Sequence, residues 1–516
     1  MLEGSEAKTM ITSREMGALD MNANYFGVSR LQMMENAGRN IALEVVSRFE
    51  PDKQVAIFCG LGGNGGDGFV AARHLLAMGF KVTIVLAGKS GEISSKEALQ
   101  NWNALQLLKE KLSIHEVYDT AVIPEVKADI VIDALLGTGT KGKLRPPILQ
   151  LARRINGAKA FRIAADVPTG IDADTGEILG EAVKADVTIT FHRLKIGLEN
   201  AKAYTGEIII KDIGVPKEFE NFAGPGDISL VTRRRSPLSH KGDFGRLLVV
   251  GGSEVFSGAP TLVALAALRT GIDLAYVAAP ERTAYAISSV SPNLITIKLE
   301  GEHLNSRNVS ILNPYLESAN AVVLGPGLGL HTETKAAVKA IIKEIEGAGK
   351  PLLLDADGLK AFAEFKRPLK VPLVLTPHAG EYAILTGRKL SDDLNERVSD
   401  VQTAAAGLSA VILLKGHVDI ISDGSRFKLN FTGNPGMTVG GTGDVLSGIV
   451  GAFVAHEVDP FEAAVAGAFI NGAAGDFVCA EKGYHIVSTD LIDWIPRVMD
   501  DPMSHLKVRK IGARTG

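Results

Sequence analysis

Short apolar segments rich in β-branched residues alternate along the whole chain with segments whose apolar residues recur at helical spacing. Strands that are apolar throughout indicate parallel sheets covered by helices on both faces. The first half contains five such strands, QVAIFCG (54–60), KVTIVLAG (81–88), DIVIDALLG (129–137), FRIAADVP (161–168) and DVTITF (186–191). The second half contains six, RLLVVGG (246–252), LAYVAAP (274–280), AVVLGPG (321–327), PLLLDADG (351–358), PLVLTPH (372–378) and AVILLKG (410–416). The pattern therefore predicts an α/β fold in each half.

The length of 516 residues exceeds what one ordinary hydrophobic core organises, so two domains are expected. Turn-forming and charged residues concentrate at 221–227 and 232–242, and the run Arg233–Arg235 suits a solvated linker better than a binding patch. We place the first domain at 1–222, a linker at 223–236, the second domain at 237–502 and a tail at 503–516.

Composition narrows the class of protein. The net charge of −4 gives no electrostatic reason to expect a nucleic-acid partner. Cys59 and Cys479, the two cysteines, are far apart, which argues against a disulfide framework or a zinc site. The N-terminal segment lacks the apolar core of a signal peptide, and the apolar run from Val445 is too short to span a bilayer. We expect a cytoplasmic homo-oligomer without membrane association.

A glycine-rich loop follows the first strand and fits the G-x-G-x-x-G pattern of dinucleotide-binding folds at Gly60, Gly62 and Gly65. An NAD-dependent oxidoreductase would also carry an acidic residue about 20 residues further on, to bind the ribose. The next strand instead ends near Lys89, with no acid. The pattern therefore indicates a nucleotide-binding loop, while the missing acid argues against a redox enzyme.

The same loop contains polar side chains that a bare pyrophosphate turn does not need, Asn64 and Asp67. We expect the following helix to begin near Phe69, so that backbone N–H groups of the loop can bind a phosphate-bearing ligand. Asp67 has two readings, a ligand contact or the N-cap of that helix.

Two aspartates stand where predicted strands end, Asp133 and Asp166, and a third polar stretch begins at Lys195. The carboxyl ends of parallel strands are the usual place for ligand-binding groups. A single such aspartate is better explained as a loop cap. Two of them beside the loop 64–67 favour a ligand site.

The motifs NGGDG (64–68), DALLGTGTKG (133–142) and DVPTGID (166–172) together resemble the N-terminal domain of NAD(P)H-hydrate epimerases, also called the YjeF N-terminal domain, over roughly residues 10–215. The resemblance implies a Rossmann-like three-layer α/β/α sandwich and a potassium site formed by Asn64, Asp133 and Thr169. A threonine at 169 replaces the serine expected there and keeps the hydroxyl. The residues implied to contact the hydrated nucleotide are Gly63, Asn64, Gly65, Gly66, Asp67, Gly137, Thr138, Gly139, Thr140, Lys141, Gly142, Lys143 and Asp166.

The chemistry of this implied substrate needs a proton-transfer group. Hydrated NADH carries a hydroxyl beside the ring nitrogen, and reversible loss of that hydroxyl passes through an electron-poor iminium. A side chain must protonate and deprotonate the leaving oxygen, and Asp166 is the candidate. Lys141 is a second candidate, which would hold the oxygen or the phosphates.

The most specific motif of the chain is NPGMTVGGTGDVLSG (434–448). A Gly-Thr-Gly turn that runs into a helix directs several N–H groups at a developing phosphate charge, and Asp444 can take a proton from an attacking hydroxyl. A helix cap after a flexible loop is the plainer reading. GPGLG (325–329), PHAGE (377–381) and KGHVDI (415–420) also end strands in this half, and together they favour a nucleotide-using active site.

The G-T-G-D element resembles the ribokinase superfamily, and with GPGLG, DADGL, TPHAGE and NPGMTVGGTGDVLSG it resembles the NAD(P)H-hydrate dehydratases over roughly 230–500. This implies a ribokinase-like α/β/α domain that uses Mg²⁺ and ADP, since PHAGE with GGTGD is the form associated with ADP rather than ATP. The implied contacts with the hydrated nucleotide are Ala259, Gly327, His378 and Asp444. Those with the adenine nucleotide are Lys415, Gly416, His417, Val418, Asp419 and Gly443.

Together the two resemblances imply a bifunctional repair enzyme. It would epimerise the R and S forms of hydrated NADH and NADPH and dehydrate the S form at the expense of ADP, giving AMP and phosphate. The alternative is a ribokinase-superfamily kinase of a small alcohol or a hydroxymethyl-pyrimidine, fused to a nucleotide-binding domain. A non-catalytic nucleotide-sensing or protein-binding first half and a redox enzyme rank lower.

Overall fold

The computed structural model describes residues 10–233 and 235–509, which form two compact units. One unit ends at Pro216 and the other begins at Lys217, six residues before the expected end of the first domain. Part of the expected linker is a helix, Pro225–Val231, in which Asp227 is buried and accepts a hydrogen bond from Gly224 N. The last part of the expected tail, from residue 510, and the N-terminal residues before Met10 lie outside the described residues.

The first unit is built on a seven-stranded parallel sheet. In spatial order its strands are Ser113–Glu116, Lys81–Leu86, Gln54–Cys59, Ile130–Ala134, Phe161–Ala165, Val187–Phe191 and Glu207–Lys211. All five strands predicted for this half are present. A separate parallel pair joins Met10–Ile11 to Leu194–Lys195.

Helices cover both faces of this sheet. A Cβ at Gly68, in the helix Gly63–Ala77, would lie 2.8 Å from Sγ of Cys59, so that helix packs directly on one face. Phe58 points to the opposite face, where it clusters with the helix Ile148–Gly157. The unit is therefore the predicted three-layer sandwich. Its helices are Ser13–Phe26, Arg30–Arg48, Gly63–Ala77, Lys96–Gln106, Ile148–Gly157, Ile196–Asn200 and Lys202–Thr205, with short 3₁₀ turns at Ser90–Glu92 and Thr120–Val122.

The second unit is built on a nine-stranded sheet in which the first seven strands are parallel and the last two are joined by antiparallel pairs. In spatial order the strands are Ile295–Leu299, Leu274–Pro280, Arg246–Val250, Ala321–Leu324, Leu352–Leu354, Leu373–Leu375, Val411–Leu414, Asp419–Ser422 and Phe427–Asn430. The six predicted strands are all present, and they are parallel strands that are buried over most of their length.

The helices of the second unit are Pro225–Val231, Gly258–Thr270, Glu281–Val290, Asn308–Ser318, Thr332–Gly347, Ala356–Ala363, Ala379–Thr386, Leu394–Leu408, Thr442–Ala455, Pro460–Lys482 and Ser488–Asp500. Short 3₁₀ turns occupy Lys217–Asn221, Pro435–Thr438 and Pro502–Lys507. Among the described residues, Pro460–Lys482 is the helix long and apolar enough to cross a membrane, and 83% of its most apolar stretch is buried inside the unit. The sequence reading had placed the longest apolar run in the preceding helix.

Candidate functional site

The helix after the glycine loop begins at Gly63, six residues earlier than the sequence reading placed it, and Gly62 is its N-cap. The reading of Asp67 as N-cap is therefore wrong, because Asp67 lies in the second turn of the helix. The error has a simple cause. Glycines disfavour helix interiors, so the run 62–68 reads as a loop from propensity alone.

Close backbone approach explains two of the fingerprint glycines. A Cβ at Gly60 would lie 1.9 Å from the carbonyl oxygen of Leu135, and one at Gly65 would lie 1.9 Å from the carbonyl oxygen of Gly60. A Cβ at Gly62 or Gly63 would meet no atom within 4 Å. The N-terminal turn of the helix is thus open, which leaves its N–H groups accessible to an anionic ligand.

The residues of the predicted potassium site lie together. Thr169 donates to the Asp133 carboxylate from its backbone nitrogen at 2.8 Å and from its hydroxyl at 2.7 Å. Asp133 is 1% exposed, and burial raises its pKa to about 6. A Cβ at Gly137, in the adjoining loop, would lie 3.5 Å from Oδ1 of Asn64. Both polar side-chain atoms of Asn64 are buried without a hydrogen-bond partner within the described part of the chain.

Asp166 follows the strand Phe161–Ala165 and forms a close ion pair with Lys195, whose Nζ lies 2.6 Å from Oδ1. Lys195 is only 1% exposed and also donates to the carbonyl oxygen of Phe191 at 2.8 Å. Thr190 donates its hydroxyl to the same Oδ1 at 3.3 Å. Asp166 adopts a φ of 65°, a left-handed conformation that costs a non-glycine residue about 1–3 kcal/mol, so the surrounding contacts hold it in an unfavourable backbone state.

Two further carboxyls interact electrostatically with this ion pair. Burial, followed by the charges of Asp166 and Asp20, raises the pKa of Asp67 well above its usual range. Burial raises the pKa of Asp20 to about 6, although the ammonium of Lys195 opposes the shift. Sequence reasoning missed Asp20, which lies mid-helix without a motif, and named Lys195 only as the start of a polar stretch.

Lys141 makes different contacts from those expected of a group that holds the reacting oxygen. Its ammonium lies 3.3 Å from Oδ2 of Asp172 and 3.1 Å from Oδ2 of Asp174, and its side chain is 61% exposed. Asp174 also accepts hydrogen bonds from Ser13. These contacts tie the loop 137–143 to the start of the first helix.

In the second unit, Asp444 lies on the first turn of the helix Thr442–Ala455, as the motif predicted. The N-cap Gly441 has a φ of 95°, and a Cβ there would lie 2.6 Å from the hydroxyl of Ser488, so both conformation and space require glycine. Burial and the charge of Asp355 raise the pKa of Asp444 to about 7. A carboxyl with this pKa is well placed to exchange protons near neutral pH.

A partly buried lysine, Lys415, contacts the charged groups around Asp444. Nζ of Lys415 lies 2.9 Å from Oδ1 of Asp355 and 4.0 Å from Oε2 of Glu381. The other oxygen of Asp355 accepts a hydrogen bond from the hydroxyl of Ser447 at 2.7 Å. Asp355 and Glu381 fall within the quoted motifs DADGL and TPHAGE but were given no role. Asp355 follows a buried strand directly, the same signal that singled out Asp166.

The predicted adenine-nucleotide segment, Lys415–Asp419, is the tight connection between two antiparallel strands. The carboxylate of Asp419 holds it by accepting hydrogen bonds from Gly416 N and from Nδ2 of Asn430, both at 2.9 Å. His417, at its tip, is exposed. A Cβ at Gly443 would lie 3.2 Å from Nζ of Lys415, so this segment adjoins the helix start that carries Asp444.

The remaining predicted substrate contacts lie on a loop, Gly327, and at the starts of two helices, Ala259 in Gly258–Thr270 and His378 before Ala379–Thr386. A Cβ at Gly327 would lie 3.4 Å from the Cβ of Ala259, so these two residues are neighbours. His378 is the N-cap of the helix Ala379–Thr386 and pairs with Lys415 through a backbone bridge. Its Nδ1 accepts a hydrogen bond from Gly380 N at 3.0 Å, and its side chain is 60% exposed.

A third polar cluster, His303, His331 and Glu333, has ligand atoms near enough to suggest a metal. Its contacts have a structural explanation. Nδ1 of His331 caps the helix Thr332–Gly347 by accepting from Glu333 N, and Glu333 pairs with His303 at 3.1 Å. A cation at this site would also oppose the positive end of the helix dipole.

Comparison with known proteins matches each unit to a family. Residues 30–197 match the family described as YjeF-related protein N-terminus, and residues 247–497 match the family described as NAD(P)H-hydrate dehydratase. A crystal structure of an ADP/ATP-dependent NAD(P)H-hydrate dehydratase from Bacillus subtilis is 27% identical, with a TM-score of 0.46 over 54% of this chain and 98% of that one.

Curated relatives extend over both units. A bifunctional NAD(P)H-hydrate repair enzyme from Pyrobaculum aerophilum is 46% identical over 95% of this chain and 98% of its own length. Its counterpart in Methanothermobacter thermautotrophicus is 44% identical over 94% of each. These relatives match both halves of the chain over nearly their full length. A kinase fused to an unrelated domain would match in the second half alone. The chain therefore belongs to the family of bifunctional NAD(P)H-hydrate repair enzymes.

Proposed function

We propose that the two activities divide between the units, with epimerisation of hydrated NAD(P)H in the unit that ends at Pro216 and dehydration of the S epimer in the unit that begins at Lys217. The observation that carries this proposal is the position of Asp444. It lies at the start of a helix that follows a glycine turn, near the ammonium of Lys415, and its pKa near 7 suits proton transfer. Such a group serves a reaction in which a hydroxyl becomes a nucleophile.

The dehydration then proceeds by phosphorylation of the substrate. Hydroxide is a poor leaving group, so the ring hydroxyl is first phosphorylated. Asp444 takes the proton of this hydroxyl while the hydroxyl oxygen attacks the terminal phosphorus of ADP, and AMP is released. The lone pair of the ring nitrogen expels phosphate and forms an iminium. Loss of a proton from the neighbouring ring carbon restores the dihydropyridine. Phosphate and AMP are the products beside NAD(P)H, so every atom of the hydroxyl and of ADP is accounted for.

The backbone at the start of the Asp444 helix supplies the anion site for this transfer. The N–H groups of the first turn face the developing phosphate charge, and Lys415 adds a fixed positive charge next to Gly443. Asp355, Glu381 and Asp444 offer the carboxylate oxygens that Mg²⁺ prefers. A magnesium ion bound with ADP would offset charge on the transferring phosphoryl group.

In the epimerase unit, Asp133, Thr169 and Asn64 present carboxylate, hydroxyl and amide oxygens, and hard cations bind oxygen ligands. The side-chain oxygen of Asn64 is buried without a hydrogen-bond partner in the described residues, and Asp133 is a buried acid with no cationic neighbour among its described contacts. These residues fit a potassium ion. The ion would supply positive charge beside the glycine loop that we expect to bind the substrate.

Asp166 is the proton-transfer residue that we propose for epimerisation. Its carboxylate follows a strand at the carboxyl edge of the sheet, and Oδ1 is fixed by Lys195. Loss and return of the ring hydroxyl through the iminium inverts the carbon that carries it.

The test combines the intact protein with purified R and S hydrates of NADH, ADP and Mg²⁺, and follows the dihydronicotinamide absorbance. Complete recovery of NADH from both epimers, with one AMP and one phosphate formed per NADH, is expected. A stable phosphorylated product without NADH would instead establish a kinase. Replacement of ADP by ATP in parallel reactions measures the donor preference, which we expect to favour ADP.

A further inference from the structure

Arg397 is a cation without a counter-charge in the second unit, and it lies beside the proposed adenine-nucleotide segment. It belongs to the helix Leu394–Leu408, which begins after the N-cap Asp393. Nε of its guanidinium is buried and makes no hydrogen bond within residues 10–233 and 235–509. Over those same residues, the guanidinium also forms no ion pair with a carboxylate.

This arrangement is unfavourable unless an anion completes it. A guanidinium stays protonated in proteins, and a charged group that is taken out of water needs a partner. The position in the helix adds to the cost, because Arg397 lies in the first turn, where the positive end of the helix dipole repels a cation. The surrounding protein therefore leaves a positive charge that an anionic ligand can pair with.

The guanidinium reaches the segment 415–419 at Gly416. A Cβ on Gly416 would lie 3.3 Å from Nη2 of Arg397 and 3.4 Å from the carbonyl oxygen of Val418. The φ of Gly416 is not positive, so the backbone conformation does not require glycine there. The missing side chain instead leaves space beside Nη2, at a residue that is itself exposed. A ligand that lies on this turn can therefore contact the guanidinium.

The adenine nucleotide is the ligand whose chemistry fits. Phosphate oxygens match the fork of N–H donors on a guanidinium, and this turn is the one that we expect to hold ADP. Lys415 lies beside Gly443, at the helix start that faces the transferred phosphoryl group in the proposed reaction. The transferred group thus has its own cation. Arg397, next to the following residue Gly416, is left for the other phosphate.

We propose that Arg397 is a further nucleotide-binding residue of the dehydratase site, and that its guanidinium binds the phosphate of ADP that remains on AMP. This inference rests on the proposed dehydration with ADP. The contact is the same before and during phosphoryl transfer, so it holds the nucleotide and takes no part in bond making. Arg397 should therefore set the KM for ADP and leave kcat nearly unchanged.

The binding test uses Arg397→Met in the intact chain, which removes the guanidinium and keeps an unbranched side chain. Calorimetry with ADP and with AMP, both with Mg²⁺, measures binding apart from turnover. We expect both dissociation constants to rise at least about tenfold, the loss typical of a charge-assisted hydrogen bond. A loss confined to ADP would mean that Arg397 contacts the terminal phosphate, and the proposal would fall.

Adenosine separates a phosphate contact from a contact with the base or the ribose. Its inhibition of the ADP reaction should be equally strong in Arg397→Met and in the unsubstituted protein, because adenosine has no phosphate. Weaker inhibition in the variant, by the same factor as for AMP, would place the guanidinium on the nucleoside and overturn the phosphate contact.

Steady-state kinetics with the S hydrate of NADH give a second readout, which a purely structural role would not produce. In Arg397→Met the KM for ADP should rise at least about tenfold, while kcat stays within about threefold of the unsubstituted protein. An unchanged KM, or a fall in kcat alone, would remove Arg397 from the nucleotide site.

Arg269→Met is the matched control, because Arg269 is an exposed arginine of the same unit, 3.6 Å from Asp493. Its affinities and KM should equal those of the unsubstituted protein. If circular dichroism shows that Arg397→Met is unfolded, Arg397→Lys decides, since an ammonium lacks the fork and should raise the KM for ADP more than it lowers kcat. Failure of the unsubstituted protein to form NADH from the S hydrate, while calorimetry detects bound ADP, would instead refute the proposed dehydration.

Discussion

At the residue scale, two lysines pair with carboxylates in different ways: Lys195 is fully buried, and Lys415 is partly buried. Lys195 contacts the proposed proton-transfer residue Asp166 directly. Lys415 contacts Asp355, while its effect on Asp444 is through space and lowers a pKa that burial and Asp355 raise to about 7. Asp444 is therefore free to change its charge during the reaction. In the first unit the lysine therefore contacts the proposed proton-transfer carboxylate directly, whereas in the second unit it contacts a neighbouring carboxylate instead.

Asp444→Asn should abolish dehydration while nucleotide binding persists, because the anion site is made of backbone N–H groups. A general base contributes about 10²–10⁴-fold, so the rate with the S hydrate and ADP should fall by at least that factor. Calorimetry with ADP and Mg²⁺ measures the retained binding. Asp493→Asn, an exposed aspartate of the same unit, is the control. Near-normal turnover by Asp444→Asn would remove Asp444 from the mechanism.

The pH dependence of dehydration should follow the ionisation of Asp444. A raised carboxyl pKa means that the base is protonated below it, so activity should increase with pH and reach half its plateau near pH 7. Lys415→Met removes a charge that lowers this pKa, and the midpoint should move to higher pH. The profile of kcat/KM with the S hydrate measures it, with the exposed Lys482→Met as control. A midpoint that stays in place would contradict the coupling of Lys415 to Asp444.

At the scale of elements, the apolar pattern predicts the buried parallel strands and misses the exposed edge strands and the two short antiparallel strands, Asp419–Ser422 and Phe427–Asn430. All eleven predicted strands are present, whereas Ser113–Glu116 and Glu207–Lys211 lie at sheet edges and carry exposed polar residues that hide the pattern. Strand ends single out Asp133 and Asp166 as candidate site residues, and the Gly-Thr-Gly motif before a helix singles out Asp444. The sequence does not predict the electrostatic interaction of Asp20 with Lys195 and Asp166, because that interaction depends on how the helix Ser13–Phe26 packs.

The contact between the helices Thr442–Ala455 and Gly258–Thr270 supports a prediction about stability. A Cβ at Gly448 would lie 2.3 Å from the carbonyl oxygen of Val263, so Gly448→Ala must push the two helices apart. Overpacking of this kind costs about 1–3 kcal/mol, and the second unit should unfold at correspondingly lower urea concentration. Gly407→Ala, in a helix where a Cβ meets no atom within 4 Å, should be neutral or stabilising. Equal midpoints for the two variants would contradict the packing argument.

At the scale of the whole molecule, each unit has its own sheet and its own cluster of buried charges. The ion pair of Lys195 with Asp166 belongs to the first unit, and the contacts of Lys415 with Asp355 and Glu381 belong to the second. The two chemistries are also sequential, because epimerisation supplies the S form that dehydration consumes. Fusion of the units in one chain ensures that both are made in equal amounts.

Because Asp166 and Asp444 belong to different units, the assignment of one activity to each unit can be tested with a single substitution. With ADP and Mg²⁺, Asp166→Ala should dehydrate the S hydrate at nearly the rate of the unsubstituted protein, because Asp166 and Asp444 belong to different units. The R hydrate should then disappear only as fast as it epimerises without catalysis, since no other step converts it to the S form. Chromatography of the two hydrates during the reaction measures both rates. Asp186→Asn, at an ion pair with Arg162 in the same unit, controls for the loss of a carboxylate and should leave both rates unchanged. Equal slowing of both epimers by Asp166→Ala would mean that Asp166 supports dehydration as well, and the assignment of one activity to each unit would fall.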